Sequence, residues 1–383
     1  MIKKLGKDIY YYIINNKEYM FYKEIFKYIQ LDEITQESPN KIEKICFVIP
    51  PMFAYSGGHT SILRLGTYLS GLGYEVYYVS YTNQNINEMK RNATLNLKNY
   101  KGEIINNSSL EHFNTDVYVA TSWQTVYYIK HLKGYKMYFV QDYEPYFYKY
   151  GEKYLLTKKT YELGLHMVSL GKWNKSIIEQ NCNVKNKIDY IEFPYERTEY
   201  KLIDRDFHKY KHKKEINIAA YVKFDEKRAP YLIQYILENI KKQFDEKNIK
   251  LNIKYFGADK NQKFINGVNL GKLNKEQLFE LYANSDFGVV ASLSNISLVP
   301  FEMIATKLPV IEFEEGTFKY FFEENCAILT TFNWQDMYNK LLYYIDNPDY
   351  LEKITENAYR NVSHLSWENS ARQFQEILNE IIN

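Results

Sequence analysis

Cysteine is scarce in this chain of 383 residues: Cys46, Cys182 and Cys326 stand far apart, and none shows metal-ligand spacing. That excludes a disulfide scaffold or a zinc ribbon, and the expectation is reduced core thiols in a cytoplasmic protein. Long apolar runs are absent too. No stretch approaches the roughly 20 residues that span a bilayer, and the N-terminus lacks the apolar segment of a secretion signal, so neither a transmembrane nor a secreted protein is expected. Excess charge is also missing: 49 basic against 47 acidic side chains leave a net +2, with no long like-charge run. Nucleic acid is therefore not an expected partner.

What is abundant is aromatic, with 39 Tyr and 22 Phe. An excess spread along the whole chain, beside many Lys, Asn and Ile, identifies no ligand; rings matter only where they cluster at a motif. The length exceeds what a single core usually fills, so two domains are expected. Residues 1–40, with KDIYYYIINNKEYMFYKEIFKYIQ, read as a helical extension that packs against the first domain or touches a membrane surface.

From Ile45 onward strand and helix alternate. ICFVI is a buried strand, PPMFAYSGG its loop, His59–Leu72 a helix closed by Gly73, and EVYYV the next strand. Apolar runs at 117–120, 137–140 and 167–168 continue a parallel, doubly wound α/β sheet, placing a first domain at 41–196. Gly57 and Gly58 lie between the first strand and first helix, where a backbone without Cβ lets a ligand approach closely. The loop is not GxGxxG, and the second strand ends in Ser80, Tyr81, Thr82 and Asn83 without the acid that a dinucleotide ribose requires. A dinucleotide site is disfavoured, and no cofactor is expected.

MYFVQ runs into Asp142-Tyr143-Glu144-Pro145-Tyr146, placing two carboxylates and several rings past a strand's carboxyl end, where α/β sheets bind ligands. Asp142, next to the buried strand, is the stronger candidate; Glu144 reads equally as a helix cap. Lys172 and Trp173 stand at a strand-to-helix junction, where an indole either flanks a sugar or anchors the core. The polar passage at 194–214 contains Asp204-Arg205-Asp206, which has the form of a metal-chelating pair. Its flanks are charged rather than a buried strand end, so no metal is expected.

A second α/β domain, 197–365, repeats the alternation. Lys223, Lys227 and Arg228 follow its first strand, and Arg offers bidentate hydrogen bonds to a pyrophosphate. The stretch Asp286–Glu312 reads as strand, polar loop, a helix opened by Pro300, and strand after Pro309. Such a helix points free N–H groups at the crevice, which suits an anion. Glu302, in its expected first turn, either complements the helix charge or reaches two ribose hydroxyls. The last segment, 366–383, is a helix long enough to cross back to the first domain.

On these residues the chain resembles the retaining family 4 glycosyltransferases of GT-B fold, two Rossmann-like doubly wound domains facing across a cleft, over roughly residues 45–380. Such enzymes carry a Gly-rich first loop, matched by Gly57-Gly58, and a basic pair after the second domain's first strand, matched by Lys223 and Arg228. Their G-x-L segment is matched by Gly271-Lys272-Leu273. The E-x7-E signature is half present: Glu302 matches its second acid, while Ser294 stands at the first, and Lys307 replaces the glycine of the helix that follows.

The phrases VQDYEPYFY, SLGKW and SLVPFEM look like the bacterial rhamnosyltransferases of S-layer and related surface glycans. The resemblance implies a dTDP-rhamnose donor held by Gly57, Gly58, Trp173, Lys223, Arg228, Lys272, Asn295, Ser297, Leu298 and Glu302. It implies a glycan acceptor, lipid-linked ones included, at Tyr143, Glu144 and Tyr146, with Asp142 as the catalytic carboxylate and the protein at the inner face of the membrane. Two other readings stay open: transfer from a UDP- or GDP-hexose, and a catalytically idle partner in a glycan assembly complex.

Overall fold

The computed structural model describes residues 2–382; Met1 and Asn383, the ends of the expected segments 1–40 and 366–383, lie outside it. Two parallel sheets carry the fold. The first contains β1 (Lys44–Ile49), β2 (Glu75–Ser80), β3 (Glu103–Ile104), β4 (Val117–Ala120), β5 (Tyr135–Val140), β6 (His166–Leu170) and β7 (Ile188–Ile191), in the order β3-β2-β1-β4-β5-β6-β7. The second contains β8 (Glu215–Tyr221), β9 (Lys250–Phe256), β10 (Val268–Asn269), β11 (Phe287–Val289), β12 (Val310–Phe313) and β13 (Ile328–Thr330), in the order β10-β9-β8-β11-β12-β13.

The strands are nearly continuous apolar runs because helices cover both faces of a parallel sheet: β4, β6 and β12 are buried along their whole length. In each sheet the chain moves outward from its first strand, then restarts on the other side, between β1 and β4 and between β8 and β11. That reversal leaves a crevice at the strands' carboxyl ends, and the two crevices share one cavity.

The helix Trp367–Ile382 lies against the first sheet's side. Phe374 packs edge-on to Phe139 on β5, and Ser370 Oγ donates to the Glu192 carbonyl just beyond β7 at 2.9 Å. The passage between the sheets is held as well: Arg64 makes ion pairs with Glu196 and Glu199, and Arg197 donates to the carbonyls of Ser363 and Leu365.

The N-terminal stretch is helical, and part of it packs against the first domain. Among the described residues the helix Ile2–Phe26 is anchored toward its C-terminal end, where Ile25 is buried, Phe21 packs on Trp123, and Lys153 pairs with Glu18. Tyr10, Tyr11, Tyr12 and Tyr19 stand exposed, because their rings recur on every side of the helix rather than on one stripe. Among the described residues no helix is long and apolar enough to cross a membrane.

Candidate active site

A cavity of about 1030 Å³ lies between the two sheets, lined almost wholly by loops and helix starts at strand carboxyl ends. The first-domain wall begins with Gly57 and Gly58, which open the helix Gly57–Gly71 after its Ser56 cap. That helix starts two residues earlier than the apolar periodicity indicated. A Cβ at Gly57 would meet nothing within 4 Å, and one at Gly58 only the Gln141 side chain, at 3.5 Å. Neither glycine is required by packing; both leave room on the cavity side.

After β5 come Asp142 and Glu144, both cavity-lining. Asp142 Oδ1 accepts from the N–H groups of Tyr143 (2.9 Å) and Asn295 (3.1 Å); Oδ2 accepts from Ser294 Oγ (3.1 Å) and Lys227 Nζ (2.9 Å). Three of these four donors come from the second domain. Glu144 accepts from the Trp123 N–H at 3.0 Å and the Tyr138 hydroxyl at 2.8 Å, so it does cap a helix, the one at Trp123–Ile129, while lining the cavity. Burial pushes its carboxyl up to about 7 against the opposing pull of these donors.

The rings expected beside them sit elsewhere. Tyr143 is fully buried, stacked on Tyr161, and does not line the cavity. Tyr146 is half exposed but packs edge-on against Tyr143 and lies off the cavity. Trp173, at the start of the helix Lys172–Asn181, is buried beside Tyr146 and is a core anchor. These three positions correct the sequence expectation: the tight turn over Glu144–Phe147 and the helix Lys172–Asn181 carry the rings away from the cavity. Beside Asp142 and Glu144 the cavity is lined instead by rings that include Trp123, Phe147 and Tyr148, with Trp123 Nε1 donating to the Tyr148 hydroxyl at 3.0 Å.

The second-domain wall is cationic. Lys223, Lys227, Arg228, Lys272 and Lys275 all line it. Arg228 is buried and donates to the carbonyls of Ala291 (3.1 Å) and Asn295 (3.2 Å). It is delivered by a left-handed Ala229, φ 44°, a strained turn that reverses the chain into the helix Pro230–Glu246. Lys223 makes no ion pair among the described residues; its ammonium lies 5.7 Å from the Tyr221 ring centroid. Burial alone would raise the Tyr221 phenol, yet Lys223 and Arg228 beside it hold it below its ordinary value. Positive charge is thus in excess here, as an anion site requires. Lys272 follows Gly271, whose φ is 81°, and pairs with exposed Asp259 at 2.7 Å.

The helix on the cavity floor is Leu298–Ala305, with Ser297 at its cap position, two residues ahead of the start expected at Pro300. Ser297 and Leu298 therefore form the helix mouth, and Pro300 is accommodated within the first turn, where no N–H partner is lost. Glu302 consequently lies in the second turn, too far in to complement the helix charge. It is buried, with Lys275 Nζ at 3.3 Å and the Tyr282 hydroxyl at 3.4 Å. Asn295 faces the opposite wall and donates its amide to the carbonyls of Gln141 (2.7 Å) and Leu170 (3.0 Å). Asp204 and Asp206 do not line the cavity: Asp206 pairs with Lys209, while Arg205 between them turns inward onto the carbonyls of Tyr282, Ser285 and Thr306.

Two parallel doubly wound sheets sharing one cavity at their carboxyl ends are the GT-B fold of glycosyltransferases. Residues 231–376, on the second sheet's side, match the family described as Glycosyl transferase-like. No curated protein matches the chain. Among solved structures it is similar to sucrose-phosphate synthase from Thermosynechococcus elongatus, with 12% identity over 88% of this chain and 99% of that one, and a TM-score of 0.67. It is also similar to Anabaena HepE in complex with UDP-glucose, with 12% identity, 88% and 99% covered, and a TM-score of 0.67. A third is S. aureus TarM in complex with Fondaparinux, alpha-GlcNAc-glycerol and UDP, with 10% identity, 89% and 100% covered, and a TM-score of 0.68.

Proposed function

We propose that this protein is a glycosyltransferase that moves L-rhamnose from dTDP-rhamnose onto a bacterial surface glycan with retention of the anomeric configuration. The observation that carries the nucleotide-sugar reading is the cationic wall: Lys223, with no ion pair among the described residues, and buried Arg228 beside Tyr221, lining the cavity with the mouth of the helix at Ser297 and Leu298. A diphosphate there receives charged hydrogen bonds and helix N–H groups together. Glu302, on the same floor, would take the free hydroxyl of the nucleoside sugar, the 3′-hydroxyl in a dTDP donor, and Lys272 the region of the base. As the sugar leaves, Lys223 and Arg228 stabilise charge growing on the diphosphate, and Asp142 on the facing wall is the carboxylate for the cationic ring.

The acceptor glycan lies along the first domain, with Glu144, Trp123 and Tyr148 as its wall. No metal or other cofactor is part of the proposal, since cationic side chains neutralise the leaving group. The exposed tyrosines of the helix Ile2–Phe26 suit contact with a membrane surface, which would bring a lipid-linked acceptor to the cytoplasmic face. A UDP-hexose donor is the second reading, favoured by the UDP-glucose complex of the structurally similar HepE.

Thermal shift with dTDP, UDP and GDP is the test. The proposal expects dTDP to raise the melting temperature most, followed by NMR of the product formed from dTDP-rhamnose showing an unchanged anomeric centre. A larger shift with UDP moves the assignment to the hexose reading; no shift with any of the three contradicts a nucleotide-sugar enzyme and leaves an idle partner.

A further inference from the structure

Lys227 is one residue from Arg228 but does something different. Its ammonium leaves the second-domain wall and reaches Asp142 Oδ2 on the first at 2.9 Å, passing over the Phe147 ring with 3.6 Å between Nζ and the centroid. Asp225 Oδ2 is 3.8 Å away. The Lys227 and Asp142 side chains are only 17% and 12% exposed, so each charge is largely removed from water and leans on the other. Both nevertheless line the cavity, as do Lys223 and Arg228.

The four donors on Asp142 are not equivalent. Two are backbone N–H groups, of Tyr143 and Asn295, and one is the Ser294 hydroxyl, fixed in a loop that Asn295 ties to Gln141 and Leu170. The fourth is a flexible ammonium on a one-turn segment, Glu226–Arg228, whose neighbours Asp225 and Glu226 are exposed. If the ammonium leaves, three neutral donors still hold the carboxylate in place, with one oxygen site freed toward the cavity. A carboxylate with all four sites filled has no lone pair to offer a sugar. A diphosphate seated near Lys223 and Arg228 brings more negative charge than the one carboxylate, and so competes for Lys227.

We propose that Lys227 masks the Asp142 carboxylate in the empty cleft and exchanges it for the diphosphate of a bound nucleotide, baring Asp142 when a donor is present. Lys227 is on this account a positioning residue whose charge has two alternative partners, and the proposal rests on the nucleotide-sugar reading given above. It makes a prediction that a fixed interdomain tie does not. Removing the Asp142 charge frees Lys227 for the nucleotide, so binding becomes tighter rather than weaker, and only while Lys227 is present.

The test is calorimetric titration with dTDP and with UDP of the full-length chain as wild type, Asp142→Asn, Lys227→Met and the double variant. Asp142→Asn is expected to tighten binding three- to tenfold, Lys227→Met to weaken it, and Asp142→Asn to change affinity by less than twofold in the Lys227→Met background. Lys227→Arg is expected to keep the coupling. Ser294→Ala, which removes a neutral donor from the same oxygen, is expected to stay within twofold of wild type.

Weakened or unchanged binding by Asp142→Asn overturns the exchange, as does equal tightening in both backgrounds, which would be plain relief of repulsion. A gain from Ser294→Ala as large as that from Asp142→Asn also overturns it. If neither nucleotide binds the wild type, or Arg228→Ala leaves affinity untouched, the nucleotide reading itself falls and the exchange falls with it.

Discussion

Arg228 donates to the Asn295 carbonyl at 3.2 Å, and the Asn295 amide crosses the cleft to the Gln141 carbonyl at 2.7 Å. The cation assigned to the diphosphate therefore also braces the loop that joins the two walls. Arg228→Ala is expected to weaken dTDP or UDP binding by at least tenfold in calorimetry, since a charged hydrogen bond is worth roughly 1.5–3 kcal/mol. Arg228→Lys is expected to rescue little, because one ammonium cannot serve two carbonyls and a phosphate as a planar fork does. Wild-type affinity in both variants would remove Arg228 from the site.

Glu302 is held by Lys275 and Tyr282, so its shape and its charge can be separated. Glu302→Gln keeps the side chain's size and is expected to lose about tenfold in nucleotide affinity with a small change in melting temperature. Deoxyribose retains only the 3′-hydroxyl, so the loss is expected to be larger for UDP than for dTDP. An equal loss for a substrate analogue lacking both hydroxyls would show that Glu302 serves packing alone.

The alternation of strands and helices was legible because parallel strands buried on both faces are short apolar runs, and ICFVI and NIAAY are such runs. The loops were legible as well, since Gly57, Asp142, Lys223 and Arg228 stand past strands in the sequence, Glu302 in the helix after the next loop, and all line the cavity. Which way a side chain turns within such a loop was not. Asp142 and Glu144 face the cavity while Tyr143 between them is core, and Trp173 turns inward from a helix start. Trp123 was within reach of the same reasoning, because it follows β4 as Asp142 follows β5. Lys275 carried no sequence signal, and Lys227 read only as one of three basic residues in its loop: their positions matter through Glu302 and Asp142, which only the tertiary fold brings within reach.

Chelation separates the proposed chemistry from a metal-assisted one. Asp204 and Asp206 stand away from the cavity, and leaving-group charge falls to Lys223 and Arg228. Turnover in EDTA is expected to equal that in buffer alone, and Asp204→Asn with Asp206→Asn to be without effect. Complete loss in EDTA, restored by a divalent ion, would contradict this assignment of charge.

Buried carboxyls and imidazoles set the dependence of stability on pH near neutrality, and His166, like His59, is held below its ordinary value by burial. Burial pushes Glu144 up to about 7 and Glu312 up to about 8, and pushes His59 down to about 4. The glutamates bind more protons folded than unfolded, so their contribution is complete below about 4.5 and is lost as pH rises through 7 and 8. His59 acts oppositely: its contribution is present above 6.5 and is lost as pH falls toward 4. The two trends oppose each other below 6.5, and above it only the glutamates act. Stability, and the melting temperature with it, is thus expected to fall from pH 6.5 to pH 8, through Glu144 up to about 7 and through Glu312 up to about 8, each losing about 1.4 kcal/mol per pH unit within its own range. Calorimetry of Glu144→Gln and Glu312→Gln should flatten that fall; a steeper fall in either variant would contradict the assignment.

The central claim is that a nucleoside diphosphate sugar occupies the cavity between the sheets. The most direct measurement is a crystal structure of the chain soaked with dTDP-rhamnose and, in parallel, with UDP-glucose. The account predicts a diphosphate between Lys223, Arg228 and the helix mouth at Ser297 and Leu298, with Glu302 on the ribose and the sugar turned toward Asp142. Density for either ligand outside this cavity, or a cavity that stays empty at saturating concentrations of both, would contradict it.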